Sequence, residues 1–307
     1  MKAELLNISE EAYHSNAFSS TPCYSNSIGK VLLNKSPLHA WIKHPLLNPD
    51  YEGDNEEKFA LGTVAHAAIL QGLDVCKQLD YADYRTGDAK AERDAAYLAG
   101  KIPMLRKQYD EVQIMVEKGT KQINACKGLL GLQLDNGKPE QTILLTKDET
   151  LIKMRLDWLS NDGSIIMDYK TTDIASPDQW MRSISQNGYD MQAALYKKGV
   201  EVLTGKMPDF VFAVQETKAP YAMYFVGMNP QFLDFGESRT NRALNMWESC
   251  IKLNKWPAYD NRIMYPDLPG WSEAQWQEKE AMLEYDNKSS GIGKWTAESF
   301  LFGKVKP

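Results

Sequence analysis

The sequence predicts one α/β domain with an N-terminal helical elaboration. Three observations predict it. The 307 residues are 43% hydrophobic and 25% charged, an ordinary composition for a soluble globular chain and enough for one large domain or two small ones. The periodic patterns run in the order helices, three strands, helices, two strands, helix, which suits one layered domain. One run, Ile165-Ile166-Met167, is continuously apolar, as in a strand buried on both faces.

Residues 1–26 are polar and turn-rich and read as a loosely packed lead-in. Ser25-Asn26-Ser27 can cap a helix through about Lys43, which His44-Pro45 stops. Residues 45–56 hold Pro45, Pro49 and Gly53 and read as a loop. The segment 56–71 has apolar residues at Phe59, Val64, Ile69 and Leu70 and Gly72 at its end, a helix signature. A polar, tyrosine-containing loop covers 79–88, then helical patterns cover 89–99 and 104–125, split by Gly100-Lys101-Ile102-Pro103. Short β-prone runs follow at 141–146, 151–157 and 164–169, separated by turn signals at Asp135-Asn136-Gly137, Lys147-Asp148 and Asn161-Asp162-Gly163. Helices are expected at 177–185 and 190–203, and strands at 209–217 and 221–226 around Lys218-Ala219-Pro220. A long helix is expected at 230–253. The tail from Trp256 carries Pro257, Pro266, Pro269 and four tryptophans. The expected organisation is a lead-in (1–26), one domain (27–255) and an irregular extension packed on it (256–307).

Composition narrows function. A net charge of −6 weighs against a general nucleic-acid coater, which carries a basic face. It leaves room for a nuclease, where an acidic metal site coexists with a basic groove. Cys23, Cys76, Cys126 and Cys250 are scattered, with no CxxC pair, so reduced thiols are expected rather than a zinc site or disulfides. The first residues lack the apolar core of a signal peptide, and no apolar run is long enough to span a bilayer. The expected location is the cytoplasm, with no membrane partner. No Walker A motif, GxGxxG or GxSxG elbow is present.

The candidate chemistry centres on Asp157, Asp168 and Lys170. If 151–157 and 164–169 are neighbouring strands, both carboxylates and the ammonium converge at one end of a sheet, where sites of open α/β sheets form. Two carboxylates suit Mg²⁺, a hard cation that takes oxygen ligands and keeps several waters. A lysine beside that ion can orient or help deprotonate a water and offset charge on a phosphate. Glu140 opens the first strand of the group, either as a solvated residue or as a third carboxylate. His66, among small residues in Leu61-Gly62-Thr63-Val64-Ala65-His66, reads either as a core histidine or as a ligand, for which Mn²⁺ suits imidazole better than Mg²⁺. Gly62 would allow close packing against the sheet. Gln192 and Tyr196, four residues apart, share one helix face. Arg85 belongs to a loosely basic stretch with Lys90, Arg93, Lys101, Arg106 and Lys107, either a solvated face or a phosphate track. Arg155, in the Arg-x-Asp run, joins Arg85 as a candidate substrate contact.

In this order, Gly62-Thr63-x-x-His66, Glu140, Asp157, Asp168-Tyr169-Lys170 and Gln192-xxx-Tyr196 resemble the PD-(D/E)XK nuclease superfamily. Within it they are most similar to the branch with the RecB-type nuclease domain, the prophage exonuclease VIII (RecE-like) proteins and their lambda-exonuclease-like relatives. The similarity covers roughly residues 25–255. Met154 stands where relatives often carry Gly, a departure that touches no ligand. The resemblance implies the restriction-endonuclease-like α/β core, a mixed central sheet flanked by helices. It implies that Asp157 and Asp168 bind catalytic Mg²⁺ (or Mn²⁺) with His66 as a further ligand, that Lys170 positions or activates water, and that Glu140 sits at the metal. Gln192 and Tyr196 would support the site and the DNA end. The implied activity is digestion of linear double-stranded DNA from the 5′ end, leaving 3′ single strands for phage-type recombination. A ring-shaped homo-oligomer, trimer or tetramer, and a single-strand annealing partner are implied as well. A structure-specific endonuclease on the same fold and a non-catalytic DNA-binding protein are the alternatives.

Overall fold

The computed structural model describes residues 1–51, 53 and 61–290. In chain order the elements are β1 (Lys2–Leu6), α1 (Glu10–Ser15), α2 (Asn26–Asn34), α3 (Pro37–Ile42), α4 (Leu61–Gln71), β2 (Cys76–Leu79), α5 (Gly87–Leu98), β3 (Ile102–Leu105), α6 (Arg106–Ala125) and α7 (Lys127–Leu130). Then come β4 (Gly137–Lys147), β5 (Thr150–Ser160), β6 (Ile165–Thr172), α8 (Pro177–Asn187), α9 (Tyr189–Thr204), β7 (Asp209–Glu216), β8 (Met223–Gly227), α10 (Pro230–Leu253) and α11 (Gly270–Ser290). Residues Met1–Ala258 form one compact unit, and a second begins at Tyr259.

Six strands of the first unit make one sheet in the order β1-β4-β5-β6-β7-β8. Only β6 and β7 are parallel; they pair along all eight residues of each. Being central and covered on both faces, β6 is apolar without alternation at Ile165-Ile166-Met167, as parallel strands are. Period-2 alternation still sorts its side chains. Met167 and Tyr169 join a core with Trp158, Val64 of α4 and Met115 of α6. Ile166 joins the opposite core, with Leu156, Phe212, Trp180 of α8, Met191 of α9 and Trp247 of α10. Asp168 and Lys170 share the Ile166 side and therefore face α9.

The Asn161-Asp162-Gly163 turn links β5 to β6. Asp162 accepts from Ser164 N at 3.0 Å and from Ser160 Oγ at 2.8 Å, and Gly163 takes the left-handed conformation at φ 70° that glycine adopts without strain. Past this turn the two strands pair only at Trp158↔Met167 and Leu159↔Ile166. β5 then leaves β6, opening a fork that the rest of β6 enters with one edge unpaired.

Several elements differ from the sequence reading. The lead-in is not loose: Lys2–Leu6 pairs antiparallel with β4 as the edge strand, and Lys153 Nζ donates to the Tyr13 carbonyl at 2.5 Å, fixing α1. The single helix expected to Lys43 breaks at Lys35-Ser36, because Pro37 cannot continue it and instead opens α3. Cys76–Leu79 and Ile102–Leu105 form a parallel pair around α5, so α6 starts at Arg106 rather than at 104. Of the helix expected at 56–71, residues 56–60 lie outside the described residues. The tail is not irregular throughout: Gly270–Ser290 is helical. Its apolar residues follow no stripe, so no periodicity marked it, but its Glu, Gln, Ala and Lys content favours helix.

Candidate active site

The fork between β5 and β6 creates an unpaired backbone donor. Tyr169 N–H, which would otherwise meet β5, donates to Asp157 Oδ2 at 2.8 Å. A carboxylate is thus the residue type that closes the end of this ladder, since a buried orphan N–H costs about 1–3 kcal/mol. One residue along, Asp168 is fully buried and accepts from Gln192 Nε2 at 2.5 Å through Oδ2. Its Oδ1 lies against Lys170 Nζ but makes no hydrogen bond of good geometry.

Helix α4 brings His66. Gly62 permits its approach: a Cβ there would meet Thr171 Oγ1 at 2.3 Å. His66 Nε2 then stands 2.9 Å from Asp157 Oδ2. Glu140 lies opposite Asp157 in the β4–β5 register, between the pairs Pro139↔Trp158 and Gln141↔Leu156. It holds a left-handed conformation, φ 55°, uncommon for a side-chain-bearing residue. Its partner is Arg155, whose Nε donates to Glu140 Oε2 at 2.7 Å and whose Nη1 donates to Thr142 Oγ1 at 2.8 Å.

These groups open into a cleft of about 590 Å³ lined by His66, Glu140, Asp157, Lys170, Gln192 and Tyr196, among others. Its electrostatics follow from burial and mutual charge. For Asp157, burial opposes ionisation, but the Lys170 charge, the His66 hydrogen bond and charge, and the Tyr169 N–H outweigh it and lower the pKa. Asp168 goes the other way: burial and the neighbouring Asp157 charge raise it despite Lys170. Burial would lower Lys170, yet the two aspartates more than offset this and raise it. His66 is likewise raised, because the hydrogen bond and charge of Asp157 exceed the burial penalty. The site therefore holds two carboxylates with diverging affinities for protons, a pattern found where chemistry is done.

The donors suit a hard divalent cation in kind. Asp157 and Asp168 are close enough to repel, and Asp168 Oδ1 is buried without a hydrogen bond. Among the described residues, no three His, Cys, Asp or Glu side chains stand together at ligating geometry.

Of the residues singled out from sequence, the structure gathers His66, Glu140, Arg155, Asp157, Lys170, Gln192 and Tyr196 around the cleft, with Asp168 directly behind it. It does not gather Arg85, whose side chain is 90% exposed on the loop before α5 and pairs with Asp83 at 3.4 Å. Arg155 lines the cleft with its Nε and Nη1 engaged by Glu140 and Thr142 rather than open to substrate. His66 is hydrogen-bonded to Asp157 rather than standing apart as an independent donor.

Sequence reasoning missed Tyr189, three residues before Gln192 on the same face of α9. Its ring centroid is 5.6 Å from Lys170 Nζ and stacks on Trp180 at 5.0 Å. The i, i+3, i+7 spacing of Tyr189, Gln192 and Tyr196 was the available signal. Glu10, Tyr13, Asn26 and Lys30 also line the cleft, and no local pattern marks them. Among the described residues no helix is long and apolar enough to cross a membrane.

Comparison with known proteins accords with this geometry. The family model described as a PDDEXK-like domain of unknown function (DUF3799) matches residues 33–268. No curated protein matches the chain. A crystal structure from Eubacterium rectale, described as a "Putative exonuclease", aligns with a TM-score of 0.55 at 12% sequence identity, covering 86% of this chain and 97% of that one. At that identity the likeness speaks for the fold alone. The family match takes in every candidate from His66 to Tyr196 and most of the chain; the protein belongs to this PDDEXK-like family and, with it, to the PD-(D/E)XK nuclease superfamily.

Proposed function

We propose that the protein is a metal-dependent exodeoxyribonuclease that degrades linear double-stranded DNA from its 5′ ends and leaves 3′ single strands for recombination. The observation that carries this reading is the convergence of Asp157, Asp168 and Lys170 at the β5–β6 fork, with Asp157 and Lys170 lining the cleft and the buried Asp168 directly behind it. A bound Mg²⁺, or Mn²⁺ in its place, supplies Lewis acidity to the phosphate and acidifies a coordinated water. Asp157 and Asp168 would hold it. Gln192 fixes the Asp168 carboxylate through its 2.5 Å hydrogen bond, and His66 fixes that of Asp157. Lys170, held protonated by the two aspartates, orients the attacking water by hydrogen bonding and offsets charge on the phosphate. Glu140, locked by Arg155, borders the same space, and Tyr196 closes it from α9. The duplex-end preference, the polarity, a ring-shaped trimer or tetramer and a single-strand annealing partner rest on the RecE-like and lambda-exonuclease-like resemblance.

The test is a linear duplex labelled at one 5′ end, incubated with a closed circle of the same sequence, with and without Mg²⁺. Early release of label, an untouched circle and no reaction in EDTA are expected. Cutting of the circle would move the reading to an endonuclease. No cleavage of either DNA with Mg²⁺ or Mn²⁺ would leave a DNA-binding protein on a nuclease fold.

A further inference from the structure

We infer that Asn26, Ser27 and Lys30, at the start of α2, form a second phosphate subsite in the cleft, which takes a backbone phosphate of the bound strand beside the one held over Asp157 and Asp168. The inference rests on reading the cleft as a nuclease site, and it adds a contact that the carboxylate–lysine group does not provide.

Charge pairing singles out Lys30. Of the cations lining the cleft, His66 faces Asp157 at 2.9 Å, Arg155 faces Glu140 at 2.7 Å, His14 faces Glu10 at 3.8 Å and Lys170 contacts Asp168. Lys30 has no such partner among the described residues. Its ammonium is half-buried and lies within electrostatic reach of both Lys170 and Asp168, and burial with the Lys170 charge lowers its pKa. An arriving anion would relieve both effects. The stem is already placed, because it runs over Gly188, where a Cβ would meet Lys30 Cδ at 2.7 Å.

Asn26 supplies the second, independent observation. It is only 9% exposed and lines the cleft, yet its amide makes no hydrogen bond among the described residues, and Oδ1 is buried without a partner. Oδ1 can only accept and offers a phosphate nothing, but Nδ2, which donates to no described residue, is a donor available to a phosphate oxygen in the cleft. The backbone adds to this. The cap Ser25 accepts from Ile28 N at 3.4 Å, which leaves the N–H groups of Asn26 and Ser27 without a helical partner. Such a first turn attracts phosphate oxygens.

The experiment measures binding, not cleavage. A fluorescent linear duplex is titrated with full-length protein in Ca²⁺, over about 50 to 200 mM salt. Lys30→Met, which keeps the stem over Gly188, should flatten the log affinity against log salt slope by about 0.9, so its affinity falls about 3.5-fold less than wild type over that range. Lys30→Arg should restore the slope, and Asn26→Ala should weaken binding with the slope unchanged. A wild-type slope in a folded Lys30→Met protein, or a flattened slope in Lys30→Arg, overturns the inference alone. Inorganic phosphate competing at this position with no Lys30 effect on DNA would assign it to free phosphate and overturn it too. A wild-type protein that binds no duplex removes the nuclease reading, and the subsite with it.

Discussion

Gly236→Ala is a demanding test of how helix packing holds the site. Gly236 lies on α10 where that helix crosses the start of α9, and an added Cβ would sit 2.2 Å from the Asp190 carbonyl oxygen and 2.4 Å from its carbon. Both are backbone atoms, so no side chain can rotate away; ordinary contact begins near 3.4 Å, and the helices must part by about 1 Å. The same junction carries the buried Asp190–Arg239 pair, with Nη1 2.8 and 2.9 Å from the two carboxylate oxygens. Overpacking of this kind costs about 1–3 kcal/mol. In a unit of this size, about 2 kcal/mol lowers Tm by roughly 4–8 °C. Because α9 also carries Gln192, a shift of about 1 Å should also cost about 100-fold in cleavage at temperatures where the variant stays folded. Gly128→Ala is the contrast: that helical glycine has nothing within 4 Å of its Cβ position, and alanine there should be neutral or stabilising by about 0.5–1 kcal/mol. Melting followed by circular dichroism, with cleavage assayed 15–20 °C below each Tm, decides the matter. Equal Tm values for Gly236→Ala and wild type would refute the reasoning.

Three further outcomes are expected. Stability should fall on mild acidification because of His44, which is 1% exposed. Its Nδ1 accepts from Leu46 N at 3.2 Å, so Nε2 is the protonated nitrogen and meets the Cys23 carbonyl at 3.1 Å. Burial lowers its pKa to about 4. The unfolded chain therefore binds the proton first, and stability present above pH 6.5 is lost as pH falls toward 4; from these values the loss by pH 5 is about 2 kcal/mol. Urea unfolding at both pH values checks this, and His44→Gln should show less of the fall. Lys170→Ala should abolish cleavage while the folded variant still binds DNA, and rapid cleavage by that variant would remove Lys170 from the chemistry. Asp168→Ala should lose Mn²⁺ binding by calorimetry, a heat signal equal to wild type being the contrary result.

The parts of this fold that were legible in the sequence are those set by local periodicity. Alternation and turn residues marked β4 to β6, and the Asn161-Asp162-Gly163 turn made β5 and β6 neighbours, which brought Asp157, Asp168 and Lys170 within reach of each other. Gly62 was legible as a close-packing position and is one, against Thr171. What was hidden depends on contacts between distant segments. Lys2–Leu6 has no strong strand pattern and becomes a strand because β4 offers an edge. Cys76–Leu79 and Ile102–Leu105 are too short to signal singly and exist as a pair. Lys30 and Asn26 read as ordinary helix residues; only the tertiary fold places them in the cleft that Lys170 also lines. Arg85 shows the reverse: a cation before β5 and β6 in sequence, yet exposed and paired with Asp83.

The fork also explains why a buried acid pair is tolerable here. A continuous ladder between β5 and β6 would satisfy Tyr169 N–H with a carbonyl and leave no reason for a carboxylate at position 157. Once the strands part, an acceptor is required at that place, and Asp157 provides it at 2.8 Å while keeping capacity to accept more. Asp168 is then buried beside a negative charge, which is unfavourable without Lys170 and Gln192; removing either leaves an uncompensated buried group. The same separation that exposes the backbone donor opens the cleft that Asp157 and Lys170 line. In this chain the loss of strand pairing and the gathering of Asp157, Asp168 and Lys170 are one structural event, so a substitution that re-closed the fork would remove the site even with all three side chains intact.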